Sequence, residues 1–389
     1  MTVTASWELD REHEDFRASV RAFVDRHVRP VVDESEEAGR PPAALLKEMG
    51  SAGLLGLAVP EEFGGGGGDS LAIVVLSEEL ARASGGIAVT ALVTGYMSTP
   101  HIAKFGTDEQ RARYLPALVA GEKIASIAVT EPGTGSNVGG ITTRATPVQG
   151  DGEVGGGYRL DGTKMFITNA GFADVLVVAG RTSPDGHRGI TTFIVEADNP
   201  GLSVGQPLRK MGWHGSDTRE VVLSDCFVPS DAVLGERGRG FHQIMAAFQL
   251  ERLTLAGMGI GHAAECLAAA TAYARDRDVF GVPLISKQAI RHRLAALSVE
   301  LEAARLLTYR AAARLDAGHP GAGDSVAMAK YHAAIAACRI VDECVQLFGG
   351  SGFLEETPVA RHYRDARVLR IGGGTDEIQL EILAKGLPA

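Results

Sequence analysis

The stretch that most limits what this chain can become lies in its middle. From about Lys123 to Gly235, short β-branched runs alternate with Gly, Pro, Asn and Asp. The runs are Ile124–Thr130, Ile141–Val148, Met165–Thr168, Val175–Val178, Ile190–Val195 and Glu220–Leu223. Apolar runs of this length bounded by turn formers read as strands. No helix-length segment separates them, so a parallel sheet with helical crossovers is not expected, and the pattern predicts an antiparallel sheet or small barrel.

The flanks have a different period. Charged and apolar residues recur at helical spacing through Glu12–Glu36, and Thr107-Asp108-Glu109-Gln110 has the spacing of a capping box that opens a helix. The glycine-rich loop Phe63–Ser70 breaks the pattern and is placed to cap the next helix. Beyond Gly240 the spacing predicts helices over Phe241–Tyr273, Ser286–Ala317, Asp324–Phe348 and Pro358–Arg370, with Leu294, Leu297 and Leu301 on one apolar stripe. The expected architecture is α+β. A helical domain over 1–121 precedes a β-barrel-like domain over 122–236 and a helical bundle over 237–389.

A chain of 389 residues with 45% hydrophobic content buries a core without staples. Its four cysteines (Cys226, Cys266, Cys338, Cys344) form no C-x-x-C pair, so neither a zinc site nor a dithiol redox motif is expected. The net charge of −10 opposes a general grip on nucleic acid or on an anionic membrane. The charged N-terminus shows no apolar core of a signal peptide, and the longest uncharged run, Ala83–Ile102, contains Ser, Gly, Pro, Thr and His. A cytoplasmic protein with neither nucleic acid nor membrane as partner is the expectation.

Three segments suggest chemistry. Thr130–Asn137 is a glycine-rich turn after a strand, suited to present backbone N–H groups to a phosphate or a flavin ring, or to be a plain turn. Its G-x-G-x-x-x-G spacing and β-branched sequel are not a dinucleotide-binding fingerprint. On the helix after Gly240, Ile244, Phe248, Leu255 and Met258 form an apolar stripe with Glu251 in its middle. No Lys or Arg stands at 247, 248, 254 or 255 to pair with it. Such a carboxylate is either a desolvated general base or a buried Glu paired with an arginine distant in sequence. Near the C-terminus, Gly372-Gly373-Gly374 allows close approach of a ligand, and Thr375 can cap the final helix; a flexible interhelical turn has the same composition. No H-E-x-x-H, G-x-S-x-G or phosphate-loop motif occurs, and no metal is expected.

These residues resemble the acyl-CoA dehydrogenase family over nearly the whole chain. The resemblance is carried by Pro60–Gly65, Val129–Asn137, Gly162–Asn169, Lys210–Trp213, Arg277–Gly281, Gln346–Gly350 and Gly373–Ile378, in that order. It implies that family's fold, FAD, and α,β-dehydrogenation of an acyl thioester carried by CoA or an acyl carrier protein. Val129, Thr130, Gly135 and Ser136 match positions lining the flavin, with Ser136 also near substrate. Phe166, Ile167 and Thr168 match a strand over the ring, Phe166 standing where many members have Trp. Arg277, Phe280, Gln288, Gln346, Gly349 and Gly350 match positions reaching the FAD of a neighbouring subunit, which implies an obligate oligomer, a homotetramer or dimer. Thr375 and Glu377 match a cofactor-contacting turn.

Many members carry the catalytic Glu in the C-terminal turn, where this chain has Gly373. A smaller group, resembling isovaleryl- and long-chain acyl-CoA dehydrogenases, carries it on the helix in an E-R-L context, matched by Glu251-Arg252-Leu253. The resemblance thus implies Glu251 as the base taking the α-proton while hydride passes to flavin N5. Arg252, Gly372 and Gly373 stand at the thioester end, and Gly373 keeps a backbone N–H for the carbonyl. The uncharged Gly85–Pro100 segment, with Tyr96 and Met97, matches the helix closing the acyl pocket and favours short or branched acyl groups over dicarboxylic ones. An electron-transfer flavoprotein is the expected acceptor. An oxidase using O₂ and a non-catalytic acyl-thioester-binding flavoprotein are the alternatives.

Overall fold

Local capping sets the helical ends. In the computed structural model, which describes residues 9–150 and 156–387, the Asp69 side chain accepts from the Ala72 amide and starts one helix. Thr107 and Gln110 close the expected box, each side chain accepting from the other's backbone amide. The first eight residues, part of the charged N-terminus noted above, and the last two, the end of the third region, lie outside the described residues.

The N-terminal region forms α1 (Arg11–Phe23), α2 (Val32–Ala38), α3 (Ala43–Ser51), α4 (Ser70–Ala83), α5 (Gly85–Leu92), α6 (Thr99–Phe105) and α7 (Asp108–Val119). A π-helical turn over Val93–Ser98 joins α5 to α6.

Eight strands follow: β1 (Ala125–Ala128), β2 (Arg144–Val148), β3 (Gly157–Thr168), β4 (Val175–Arg181), β5 (Ile190–Glu196), β6 (Leu202–Val204), β7 (Thr218–Pro229) and β8 (Val233–Leu234). They form one sheet in the order β6-β7-β3-β2-β4-β5-β8, with β1 also on β4. Most pairs are antiparallel as expected, but β1 runs parallel to β4, Ala125 opposite Val175, and β2 touches β4 in parallel. The crossover that a parallel pair requires is made here of strands rather than a helix, which a search for helical periodicity does not see. In the β3–β7 ladder, β3 has an extra residue between Lys164 and Ile167, and Phe166 within that bulge has φ of 62°. Bulges re-aim side chains, and this one turns the Phe166 ring outward to 65% exposure while Ile167 packs into the sheet core.

The C-terminal region contains α8 (Gly240–Asp276), α9 (Gln288–Asp316), α10 (Ala322–Phe348), α11 (Pro358–Ala366) and α12 (Asp376–Ala384), with a small hairpin of Asp278–Val279 and Val282–Pro283 between α8 and α9. By length and composition α8 is apolar enough to cross a bilayer, but 78% of its most apolar window is buried inside the fold. A single hydrophobic core joins α1, α3, α4 and α5 to α8, α9 and α10. Polar bonds cross it: buried Glu78 on α4 accepts from Arg305 and Tyr309 of α9 and from Arg17 of α1. All four cysteines are free thiols.

Candidate active site

The apolar stripe on α8 puts Ile244, Leu255 and Met258 in the core, and Glu251 emerges between them only partly accessible. It forms no ion pair among the described residues. Burial pushes its carboxyl up to about 7, with Arg252 and Lys330 pulling the other way. The turn before α12 comes to meet it. A side chain built at Gly373 would start 3.7 Å from Glu251 Oε1 and 2.6 Å from Leu255 Cδ1. The space a residue at 373 would use is therefore already taken by α8, and φ of 65° there suits glycine. Arg252 Nε donates to the Gly373 carbonyl at 3.1 Å, so its guanidinium holds the turn. Thr375 caps α12 by accepting from the Ile378 amide, and Glu377 lies exposed in the first helical turn. The structure thus brings Glu251 and Arg252 of α8 against the turn that carries Gly372, Gly373, Thr375 and Glu377.

A second group assembles on the sheet. Val129 and Thr130 leave the end of β1, and the Met165 amide donates to the Thr130 carbonyl at 2.8 Å. Ser126 Oγ donates to the Thr168 carbonyl at 2.6 Å. These bonds set the loop carrying Gly135 and exposed Ser136 beside the Phe166 bulge. Ile167 offers a ligand only its backbone, because its side chain is in the sheet core. Under the loop lies an anchor that the sequence reading did not single out. Glu131 accepts from the amides and hydroxyls of Thr142 and Thr143 and from Lys164 Nζ at 2.8 Å. Burial opposes the Glu131 charge, but Lys164 and these donors outweigh it and hold the carboxyl down to about 2. The signal is a pair of opposite charges, Glu131 inside the turn motif Val129–Asn137 and Lys164 inside Gly162–Asn169.

The third group sits at one end of the helical bundle. Arg277 and Phe280 follow α8, Gln288 begins α9, and Gln346, Gly349 and Gly350 end α10. Tyr273 stacks on Phe348 with ring centroids 4.4 Å apart and ties the two ends together. All six residues are exposed, Phe280 to 95% and with φ of 55°. Among the described residues, no hydrogen bond or ion pair joins them to the first two groups. Tyr96 belongs to none of the three: it is buried in the core and its hydroxyl donates to the Leu54 carbonyl at 2.7 Å. Lys330 and Gln379, absent from the sequence reading, also donate to the carbonyls of the glycine turn. A cleft of about 600 Å³ elsewhere is lined by Arg29, Glu36, His214, Arg361 and Arg364 among others, and contains none of these residues.

Family models cover this layout in order. The N-terminal domain of acyl-CoA dehydrogenases matches residues 10–122, the middle domain 126–226 and the C-terminal domain 238–387. The chain belongs to the acyl-CoA dehydrogenase family. An acyl-CoA dehydrogenase of Bacillus subtilis is 38% identical over 97% of this chain and 98% of its own length. The bovine mitochondrial short-chain specific acyl-CoA dehydrogenase is 38% identical over 98% of this chain and 92% of its own. The structure of butyryl-CoA dehydrogenase from Megasphaera elsdenii superposes with a TM-score of 0.92 at 38% identity, covering 98% of this chain and 99% of that one. This likeness gives the acyl-CoA dehydrogenase fold as expected. The relatives named are general or short-chain types, so the expected kinship with isovaleryl- and long-chain dehydrogenases is not supported. The helix-borne carboxylate is a feature of this acyl-CoA dehydrogenase's own geometry.

Proposed function

We propose that this acyl-CoA dehydrogenase desaturates a short acyl-CoA between Cα and Cβ, with Glu251 as the base that removes the α-proton. The observation that carries the reading is the contact of an unpaired carboxylate, protonating near neutrality, with the Gly373 turn. A general base works best when its pKa lies near the working pH. The short-chain names of the relatives support the acyl length and CoA as carrier, and the uncharged, buried α5 and its π-helical extension suit an apolar chain.

The cofactor of this flavoprotein is FAD. The residues present fit it. A side chain built at Gly133 or Gly135 would meet nothing within 4 Å, so the loop backbone is open to a ligand. Phe166 offers an exposed aromatic face beside that loop, held in a φ region that costs a non-glycine residue free energy and that persists mainly at functional sites. Val129, Thr130, Gly135, Ser136, Phe166, Ile167 and Thr168 would hold the ring, and Thr375 and Glu377 the adjoining turn. When bound, FAD accepts the β-hydride.

The protein's part is positional and electrostatic. Glu251 takes the α-proton on a carboxylate oxygen in a site whose apolar neighbours exclude water. Gly373 offers its backbone N–H to the thioester carbonyl, and a donor aimed at developing negative charge is commonly a large catalytic contribution. Arg252 keeps that turn in place through the Gly373 carbonyl. Arg277, Phe280, Gln288, Gln346, Gly349 and Gly350, exposed on a single chain, would complete the cofactor site of an adjoining subunit. An electron-transfer flavoprotein is the proposed acceptor; peroxide formed in step with turnover would point to O₂ instead.

The test is Glu251→Gln. The variant is expected to keep bound FAD and to lose desaturation by about 10³-fold or more, followed as anaerobic flavin bleaching with butyryl-CoA. Turnover within a few-fold of the parent would defeat the assignment.

A further inference from the structure

The glycine turn is fixed by groups outside it. Gly373 and Gly374 have φ of 65° and 93° and bring no side chains of their own. Three helices supply the grip. Arg252 of α8 donates to the Gly373 carbonyl, Gln379 of α12 to both carbonyls at 3.2 and 2.9 Å, and Lys330 Nζ of α10 to the Gly374 carbonyl at 2.6 Å. Lys330 is 1% exposed. It makes no ion pair among the described residues, and the nearby Asp376 carboxylate is engaged by Arg370 at 2.6 Å. A buried ammonium without a paired carboxylate is unfavourable, and this one is directed at the segment that faces Glu251.

We infer that Lys330 is a positioning residue for the proton transfer. By holding the Gly374 carbonyl it seats the turn, and the N–H groups within it, beside the Glu251 carboxylate. The inference rests on the reading of Glu251 as the base.

The ammonium also acts through its charge. The charged groups that bear on Glu251 are Arg252 from its own helix and Lys330 from α10. Around Lys330 stand Asp376 at the start of α12, Arg370 ahead of the turn, Arg252 and Glu251 itself. Removing Lys330 takes away one of two cations favouring the ionised carboxylate, so Glu251 then titrates at higher pH.

The test compares Lys330→Met and Lys330→Arg holoenzymes with Glu251→Gln, using butyryl-CoA. In Lys330→Met, kcat is expected to fall about 30-fold with KM within about threefold, because the loss is one of alignment. The acidic limb of kcat/KM should move up by about half a pH unit or more. Amide hydrogen exchange in the peptide spanning residues 368–380 should quicken about tenfold. Lys330→Arg, which keeps donor and charge, should recover most of the rate and the original limb. An unmoved limb together with unaltered exchange in that peptide overturns the inference, whatever happens to the rate. If Lys330→Met does not fold, Lys330→Gln takes its place: it drops the charge and shortens the reach to the Gly374 carbonyl, so an unmoved limb together with unaltered exchange in it is equally fatal. An active Glu251→Gln would defeat the base assignment; an inactive one beside unaffected Lys330 variants defeats the role of Lys330 alone.

Discussion

At position 251 the burial that suits a base works against the fold. The carboxyl has an ordinary value of 4.5 and a folded value of about 7, with burial as the largest cause. Between these values the folded protein holds a proton that the unfolded chain has released. Stability therefore falls as pH rises through that window, by an amount on the order of 3 kcal/mol. Glu251→Gln removes the titration. Its unfolding free energy should match or fall below the parent's near pH 4.5 and exceed it by pH 8, read from urea unfolding of the FAD-loaded proteins. The parent's kcat/KM should climb through a midpoint near 7 and be about tenfold lower at pH 6 than at pH 8. A flat profile across that range would sink the assignment of the limb to this carboxyl. The sequence alone exposed Glu251 because helical periodicity places it among Ile244, Phe248, Leu255 and Met258 with no basic neighbour at i±4. Lys330 stayed hidden for the converse reason. Its partner is a carbonyl 44 positions away, and a lysine on an alanine-rich helix has the same pattern whether it faces solvent or a buried turn.

Among the elements, the legible ones were those with unbroken period. The long C-terminal helices fall close to their expected ends, since Ala, Leu, Arg and Glu favour helix throughout. The first two thirds of β3, Gly-Tyr-Arg-Leu-Asp-Gly-Thr-Lys, carry no strand signal because their apolar residues are too sparse to alternate, and β6 carries none because it is three residues long. What binds β3 to the loop after β1 is the Glu131–Lys164 pair, with Lys164 also donating to the Val129 carbonyl at 3.1 Å. Removing one partner of a buried pair leaves the other charge stranded, a loss of about 3–5 kcal/mol. Glu131→Ala should lose about that much in urea unfolding at pH 7 and release FAD on gel filtration, while Thr142 and Thr143 lose their acceptor. Because the folded carboxyl is held near 2, its contribution is complete above the ordinary value of 4.5 and fades as pH drops from there toward 2. An unfolding free energy for Glu131→Ala within about 1 kcal/mol of the parent at pH 7 would remove the pair from this role.

At the scale of the molecule, composition suggested three successive regions, yet the first and third share one hydrophobic core. Sequence periodicity shows that a helix has an apolar face; it does not show that α4 and α8, separated in the chain by the whole sheet, pack theirs directly against each other. The exposed end of the bundle poses the opposite question. Phe280 at 95% exposure, Phe353 at 87%, and the bare Gly349–Gly350 backbone lie on the surface of a single chain. Phe280 and Phe353 stand on the segments that follow the stacked Tyr273 and Phe348, a contiguous apolar patch on a surface marks a place where something else binds, and Phe280 is held in a φ region that costs a non-glycine residue free energy. If that end completes the FAD site of an adjoining subunit, cofactor retention and assembly are one equilibrium, because a ligand that binds only the assembled form stabilises it by mass action. Sedimentation of the holoenzyme through a dilution series, followed at a protein and a flavin wavelength, should show flavin in the assembled species and lost from dissociated subunits. Added FAD should shift the distribution toward the oligomer. Phe280→Ser should move dissociation to higher protein concentration and lower flavin content in parallel. A monomer that sediments with its flavin still bound would separate the two events and leave this end of the bundle without a part in holding the cofactor.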